Sequence, residues 1–321
     1  MKKQTFIIAN IIISAVLVAA LLYLVDVWKV LEQAARIDLF YLFLAILFLF
    51  LMDLVMAYRI EVLLKDMGEN PSFVDILKCH FVGMLAADFT PARTGYFATA
   101  ATMRLNYGIK SEKAMLSIFG PQIFDFATKL IGGTIAIFYI AFYVLRTENP
   151  WMLMLGAVVM VCFIAVMLLA LFSKRFVSAF SFLEKVPFLS KLYGITTRMQ
   201  QNSSTIVRKS GFIIFMIAFS WTFKALSWYA VAKAVGITLQ IDFPELIFYF
   251  FLQPLVTMLE FVPSTTIAGL GLSEGANVFV LSVFGVEPAT AMLFALVTRF
   301  KTTLLHLPAV PEALKIYSAK S

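Results

Sequence analysis

The stretch Met84-Leu85-Ala86-Ala87-Asp88-Phe89-Thr90-Pro91-Ala92-Arg93-Thr94-Gly95 places a proline and a glycine either side of an arginine, inside the otherwise apolar segment 72–104. A helix crossing the hydrocarbon core needs about 20 consecutive apolar residues. This segment instead offers two runs of roughly 10–15 around Pro91 and Gly95, the pattern of a broken or re-entrant helix. Irregular backbone at membrane depth survives only where protein or a water-filled cavity satisfies its polar groups. The stretch 243–274 repeats the pattern: Met258-Leu259 precedes Glu260-Phe261-Val262-Pro263, as Met84-Leu85 precedes Asp88-Phe89-Thr90-Pro91. Pro71 lies 20 residues before Pro91, and Pro244 lies 19 before Pro263. Gly108-Ile109 and Ala114-Met115-Leu116 recur as Gly285-Val286 and Ala291-Met292-Leu293 at a constant offset of 177.

The surrounding composition sets the environment. Apolar residues make up 61% of the 321 and charged residues 14%, against about 45–50% and 25% in soluble domains. That excess cannot be buried in water, so it faces lipid. Full spans are expected at 6–25, 41–59, 115–143, 151–172, 211–235 and about 289–307. The fold class is an all-α polytopic membrane protein: one integral domain over 1–321, with about six full spans and two broken-helix hairpins. A first repeat covers 40–143 with its hairpin at 72–104, and a second covers 211–309 with its hairpin at 243–274. A basic, amphipathic connector at 174–209 joins them. The run at 6–25 is long enough to be a retained anchor rather than a cleaved signal.

Charge orients the spans. Segment 174–209 holds seven Lys/Arg and one acid, which places it in the cytoplasm. Segment 236–288 has no Lys or Arg but five acids, which places it outside. Both termini then fall in the cytoplasm, and the expected location is the cell membrane. The hairpins enter from opposite sides, so the repeat is inverted, the arrangement that lets one half rock against the other around a central site. The net charge of +7 sits in loops without a basic run, so nucleic acid is not an expected partner. Cys79 and Cys162 lie in or beside apolar segments and imply no disulfide. His80 and His306 lack metal-ligand spacing and read as structural or interfacial, so no metal or cofactor is expected.

Ionisable groups inside spans are candidates for function. Arg93 follows the hairpin proline, where free backbone N–H groups help hold an anion. Its guanidinium suits a phosphate, the alternatives being a tie to Asp88 or snorkelling to the surface. Arg299 and Lys224 lie deep in their spans and are either anion ligands or members of ion pairs. Asp125 and Lys129 are four apart on one helix face and neutralise each other. Asp53 needs a partner, while Arg59 is expected to snorkel to the interface. Glu260 and Glu274 bracket Gly269-Leu270-Gly271 and act as coupling or ammonium-binding acids, or as helix caps. Gly95, Gly269 and Gly271 permit close backbone approach. No nucleophile triad or phosphate-cradling loop is visible, so no enzymatic activity is expected.

Two motifs carry a resemblance. Pro91-Ala92-Arg93-Thr94-Gly95, and Pro263 followed by Ala268-Gly269-Leu270-Gly271 and Glu274, resemble the lysylphosphatidylglycerol synthase transmembrane region, or flippase-like, family over about residues 5–310. Ala268 stands where the family often has glycine, Tyr96 where an acid is common, and Asp125 with Lys129 where it has a Glu-Arg…Asp motif. The resemblance implies flipping of a lipid with a polar, often charged headgroup. In multidomain relatives an aminoacyl transferase domain follows, and with the sequence ending at Ser321 no synthase activity is expected. The leading expectation is a flippase for a phospholipid or polyprenyl-phosphate-type lipid, with anionic membrane lipids as partners and a homo-oligomer left open. The alternatives are a secondary transporter of a small polar or anionic solute and a non-transporting membrane scaffold.

Overall fold

The computed structural model describes residues 23–90, 93–144, 203–260 and 270–318, with isolated positions within 16–21 and 162–181. Helices α1 (Val27–Ala34), α2 (Leu39–Asp66), α3 (Phe73–Asp88), α4 (Phe97–Tyr107) and α5 (Ser111–Tyr139) form the first part. Short α6 (Lys174–Ala179) and α7 (Ser203–Arg208) come from the connector. Then follow α8 (Ser210–Ala234), α9 (Glu245–Glu260), α10 (Leu272–Val283), α11 (Pro288–His306) and α12 (Val310–Ser318). No strand occurs among the described residues.

Helix α2 starts where Asp38 accepts hydrogen bonds from the N–H groups of Phe40 (2.8 Å) and Tyr41 (3.3 Å), a carboxylate cap that satisfies orphan donors. Its 28 residues extend about 42 Å at 1.5 Å per residue, more than the roughly 30 Å hydrocarbon core. Helix α8 runs antiparallel against it. The Asp38 N–H donates to the Ala234 carbonyl at 2.9 Å, Ser227 Oγ donates to the Ala45 carbonyl at 2.6 Å, and the Tyr58 and Phe212 rings meet edge-on at 6.2 Å.

Each of these long helices leads into the same order of elements. After α2 come helices of 16, 11 and 29 residues, and after α8 helices of 16, 12 and 19. Glu69, just before α3, pairs with Lys113, in the first turn of α5, at 2.9 Å, so both flanks of the first short pair lie at the C-terminal end of α2. Phe248 in the first turn of α9 packs on Phe284 after α10, with ring centroids 4.7 Å apart. That second pair is therefore entered from the end where α8 finishes and α2 begins. Each set has its own apolar core, Ile60, Ile76, Met103 and Ile118 in one and Val231, Tyr249, Leu281 and Phe294 in the other. The polar side chains gather between them.

Among the described residues three helices are long and apolar enough to cross a membrane: Leu39–Asp66, Ser111–Val144 and Ser210–Ala234. These match the expected spans at 41–59, 115–143 and 211–235. The span expected near 289–307 is α11, whose Arg299, Lys301 and His306 leave it too polar to join that group. The spans expected at 6–25 and 151–172, most of the connector, and the breaks at 91–92 and 261–269 lie outside the described residues.

Candidate functional site

Two chambers lie between the cores. The larger, about 210 Å³, is lined by Arg59, Arg93, Asp125, Lys129 and Lys224 among apolar and amide side chains. The smaller, about 80 Å³, takes Asp88, Glu274, Arg299 and Lys301. Met52, Met84, Arg93 and Lys224 line both. Along α2 the smaller chamber uses Leu49 and Met52 and the larger uses Met52, Met56 and Arg59, spacings that keep them on one helix face. Along antiparallel α8 the order reverses, from Trp228 and Lys224 to Trp221 and Ser220. The chambers are therefore stacked end to end along both helices and meet at the four shared side chains.

Arg93 occupies that junction because of the break. It adopts left-handed backbone angles (φ 54°, ψ 27°), a conformation that costs a non-glycine residue about 1–2 kcal/mol and that concentrates at functional positions. Thr90 holds the break together. Its hydroxyl donates to the Ala86 carbonyl (3.0 Å) and accepts from the Gly95 N–H (2.6 Å). Gly95 is a packing glycine: a Cβ there would sit 2.2 Å from the Ala86 backbone. The Arg93 guanidinium reaches back to Asp88 at 3.1 Å.

The second set supplies the facing wall. Gly271, at φ 89°, caps α10 and donates its N–H to Glu274 Oε2 at 2.6 Å. The Ser273 hydroxyl reaches the same oxygen at 3.1 Å. Arg299 pairs with Glu274 through Oε1 and donates to Ser273 Oγ at 2.6 Å. Glu274 is thus both a helix cap and the partner of a cation. Lys301, 1% exposed, donates to Ser227 Oγ. Lys129 Nζ lies 2.8 Å from Asp125 Oδ2.

Asp53 finds its partners across the bundle. His80 Nε2 lies 3.1 Å from Oδ1 and His306 Nε2 lies 3.0 Å from Oδ2, all three side chains fully buried. Tyr96 Oη lies 3.4 Å from His80 Nδ1.

Of the residues singled out from the sequence, Arg93, Lys224, Asp88, Glu274 and Arg299 come together at the smaller chamber, and Asp125 and Lys129 at the larger. Asp53 lies behind the wall, joined to it through His306 and Asp88. The Glu260 side chain and Gly269 lie outside the described residues. Arg59 departs from expectation. It is 2% exposed and lines the larger chamber rather than snorkelling, because α2 continues to Asp66 and carries Arg59 inward of the helix end. Among the described residues its Nε and the Trp221 Nε1 are buried donors without a hydrogen-bond partner, an arrangement that invites an acceptor. The sequence analysis singled out neither Lys301 nor the bonds that His80 and His306, expected to be structural or interfacial, make to Asp53. The one available signal for Lys301 was a second cation two residues from Arg299.

Among the described lining residues the chambers carry six cations (Arg59, Arg93, Lys129, Lys224, Arg299, Lys301) and three carboxylates (Asp88, Asp125, Glu274). Such a path attracts anions. No curated protein matches the chain. The family model for the lysylphosphatidylglycerol synthase TM region matches residues 7–309. The chain is a membrane protein and belongs to the lysylphosphatidylglycerol synthase transmembrane-region family.

Proposed function

We infer that the protein is a lipid flippase, passing the polar headgroup of a phospholipid or polyprenyl-phosphate-type lipid through the stacked chambers while its tail stays in hydrocarbon. The observation that carries this reading is the cation-rich path meeting at Arg93 and Lys224, the two charged residues common to both chambers. Arg59 Nε and Trp221 Nε1 supply donors that a phosphate oxygen would satisfy. An apolar cleft of about 250 Å³ between α5 and α9, lined by Tyr139, Phe243 and Phe251, offers room for part of a tail.

The matching order of elements after antiparallel α2 and α8 supports an inverted repeat, and an inverted repeat supports alternating access. Orientation follows the basic residues. Lys65, Lys113, Arg208 and Lys209 gather where α2 ends, as the Lys113–Glu69 and Lys209–Asp66 pairs attest, and that end is read as cytoplasmic. Both termini then lie on the cytoplasmic side of the cell membrane, and no enzymatic step is assigned to the described residues.

The test is mass spectrometry of lipid retained by gently purified protein. The reading expects a phosphate-bearing lipid on the wild type and loss of most of it in Arg93→Ala, with an unchanged helical spectrum. Equal retention by both would remove Arg93 from the site. Retention of a small water-soluble anion in place of lipid would favour a solute transporter.

A further inference from the structure

The chain Tyr96–His80–Asp53–His306–Asp88 is complete except at one point. Each Asp53 oxygen takes one imidazole Nε2, at 3.1 Å from His80 and 3.0 Å from His306. With Asp53 ionised and able only to accept, both rings carry their proton on Nε2. His80 Nδ1 then accepts from the Tyr96 hydroxyl at 3.4 Å, so that ring is satisfied in its neutral form. His306 differs. Among the described residues its Nδ1 is buried with no partner at hydrogen-bond distance, and it faces Asp88 Oδ2 at an ion-pair distance of 3.8 Å. A neutral His306 sets a lone pair against a carboxylate there. A single added proton, on Nδ1 or on the Asp88 carboxyl, turns that opposition into a hydrogen bond.

Asp88 is also the partner of Arg93, at 3.1 Å, and accepts from Thr303 Oγ1 at 3.4 Å. It lines the smaller chamber, so the open position is one side chain from the path. We propose that His306 and Asp88 form a proton-binding site that couples headgroup binding to proton binding. In the proton-free form Arg93 is the neutralising cation for Asp88. In the proton-bound form His306 supplies that charge, which weakens the Arg93–Asp88 pair and makes the Arg93 guanidinium more available to an anion in the chambers. Proton and anion therefore bind cooperatively, each favouring the other by the same factor, and a proton gradient can drive the cycle. Chains of Asp and His at membrane depth serve such relays.

The other charged and titratable groups facing the cluster are fixed by the helices around it. Helix α2 gives Asp53, α3 gives His80 and Asp88, and the break gives Arg93 and Tyr96. Helix α11 gives Lys301, held by Ser227, and Arg299, paired with Glu274 of α10, and α8 gives Lys224 at the shared junction. Glu312 of α12 is bonded to Asn106 at 2.7 Å, away from the site. Among the described residues none of these fills the position between His306 Nδ1 and Asp88.

The inference rests on the proposed role of Arg93 for its link to the headgroup, but its proton site can be tested without any lipid. The sequence has only two histidines, so ¹⁵N-histidine labelling of the intact protein in nanodiscs gives two ring systems, assigned with His80→Asn. Between about pH 5 and 11, a window reaching well beyond the ordinary histidine range on its alkaline side, His306 Nδ1 is expected to gain a proton as pH falls while both Nε2 atoms stay protonated. Arg93→Gln should move that transition upward by about one pH unit or more and Asp88→Asn downward, as expected for neighbouring charges within reach. A His306 ring that does not titrate in this window, or a transition indifferent to both substitutions, overturns the proposal. A second arm uses phosphatidylglycerol in the nanodisc against phosphatidylcholine alone. An upward shift with phosphatidylglycerol supports the coupling. A normal titration that ignores the lipid overturns the coupling, and leaves the flippase reading to the lipid-retention test.

Discussion

Arg299 and Arg59 are both intramembrane arginines, yet their surroundings give them opposite consequences for stability. Arg299 compensates Glu274, which is 1% exposed and already accepts from Gly271 and Ser273. Arg299→Met strands that carboxylate and should cost about 3–5 kcal/mol, the toll of breaking a buried pair from one side. Adding Glu274→Gln should recover much of that loss, a coupling visible as a double-mutant cycle in thermal or denaturant unfolding of the detergent-solubilised protein. Arg59 has no ion pair within 4 Å among the described residues, although it feels the field of Asp125. Arg59→Met should therefore leave stability unchanged or raise it by about 1 kcal/mol, while lipid retention falls, the trade expected when a strained group serves binding. Loss of stability comparable to that of Arg299→Met would mean that Arg59 is structural.

At the scale of elements, the crossing of α3 and α4 fixes the junction. A Cβ at Gly83 would lie 1.7 Å from Thr99 Oγ1, and one at Gly95 would strike the Ala86 backbone at 2.2 Å. The second obstacle is main chain and cannot swing aside. Gly95→Ala should therefore cost about 2–3 kcal/mol, as overpacking does, and size-exclusion chromatography after mild heating should show it aggregating before wild type. The same elements show what a sequence can disclose. The break was legible because Pro91 and Gly95 interrupt an apolar run, and the Asp125–Lys129 pair because helix geometry joins residues four apart. The Asp53–His80 and Asp53–His306 bonds span 27 and 253 positions. They exist only because α11 crosses α2 and α3, which no local pattern encodes. Arg59 was misjudged for a related reason: its depth depends on where α2 ends, and the apolar run stops earlier than the helix does.

At the scale of the whole molecule, the described residues form two sets of helices with separate cores and a charged seam between them. The orientation read from the basic residues makes a direct prediction. In a Cys79→Ala, Cys162→Ser background, single cysteines at Lys29 and Glu287, paired at 3.6 Å, should react with a membrane-impermeant maleimide on intact cells. Cysteines at Lys65 and Arg208 should react only after permeabilisation. The reverse pattern would invert the topology without altering the fold. The central claim is that a headgroup crosses along the seam, and a translocation assay tests it most directly. Purified protein is placed in phosphatidylethanolamine and phosphatidylglycerol vesicles containing a headgroup-labelled phosphatidylglycerol, and the label left in each leaflet is followed by chemical quenching. The account predicts transfer well above protein-free vesicles, reduced at least about tenfold in Arg93→Ala, equivalent to about 1.4 kcal/mol or more on the barrier. Transfer no faster than in empty vesicles, or equal in wild type and Arg93→Ala, would contradict it.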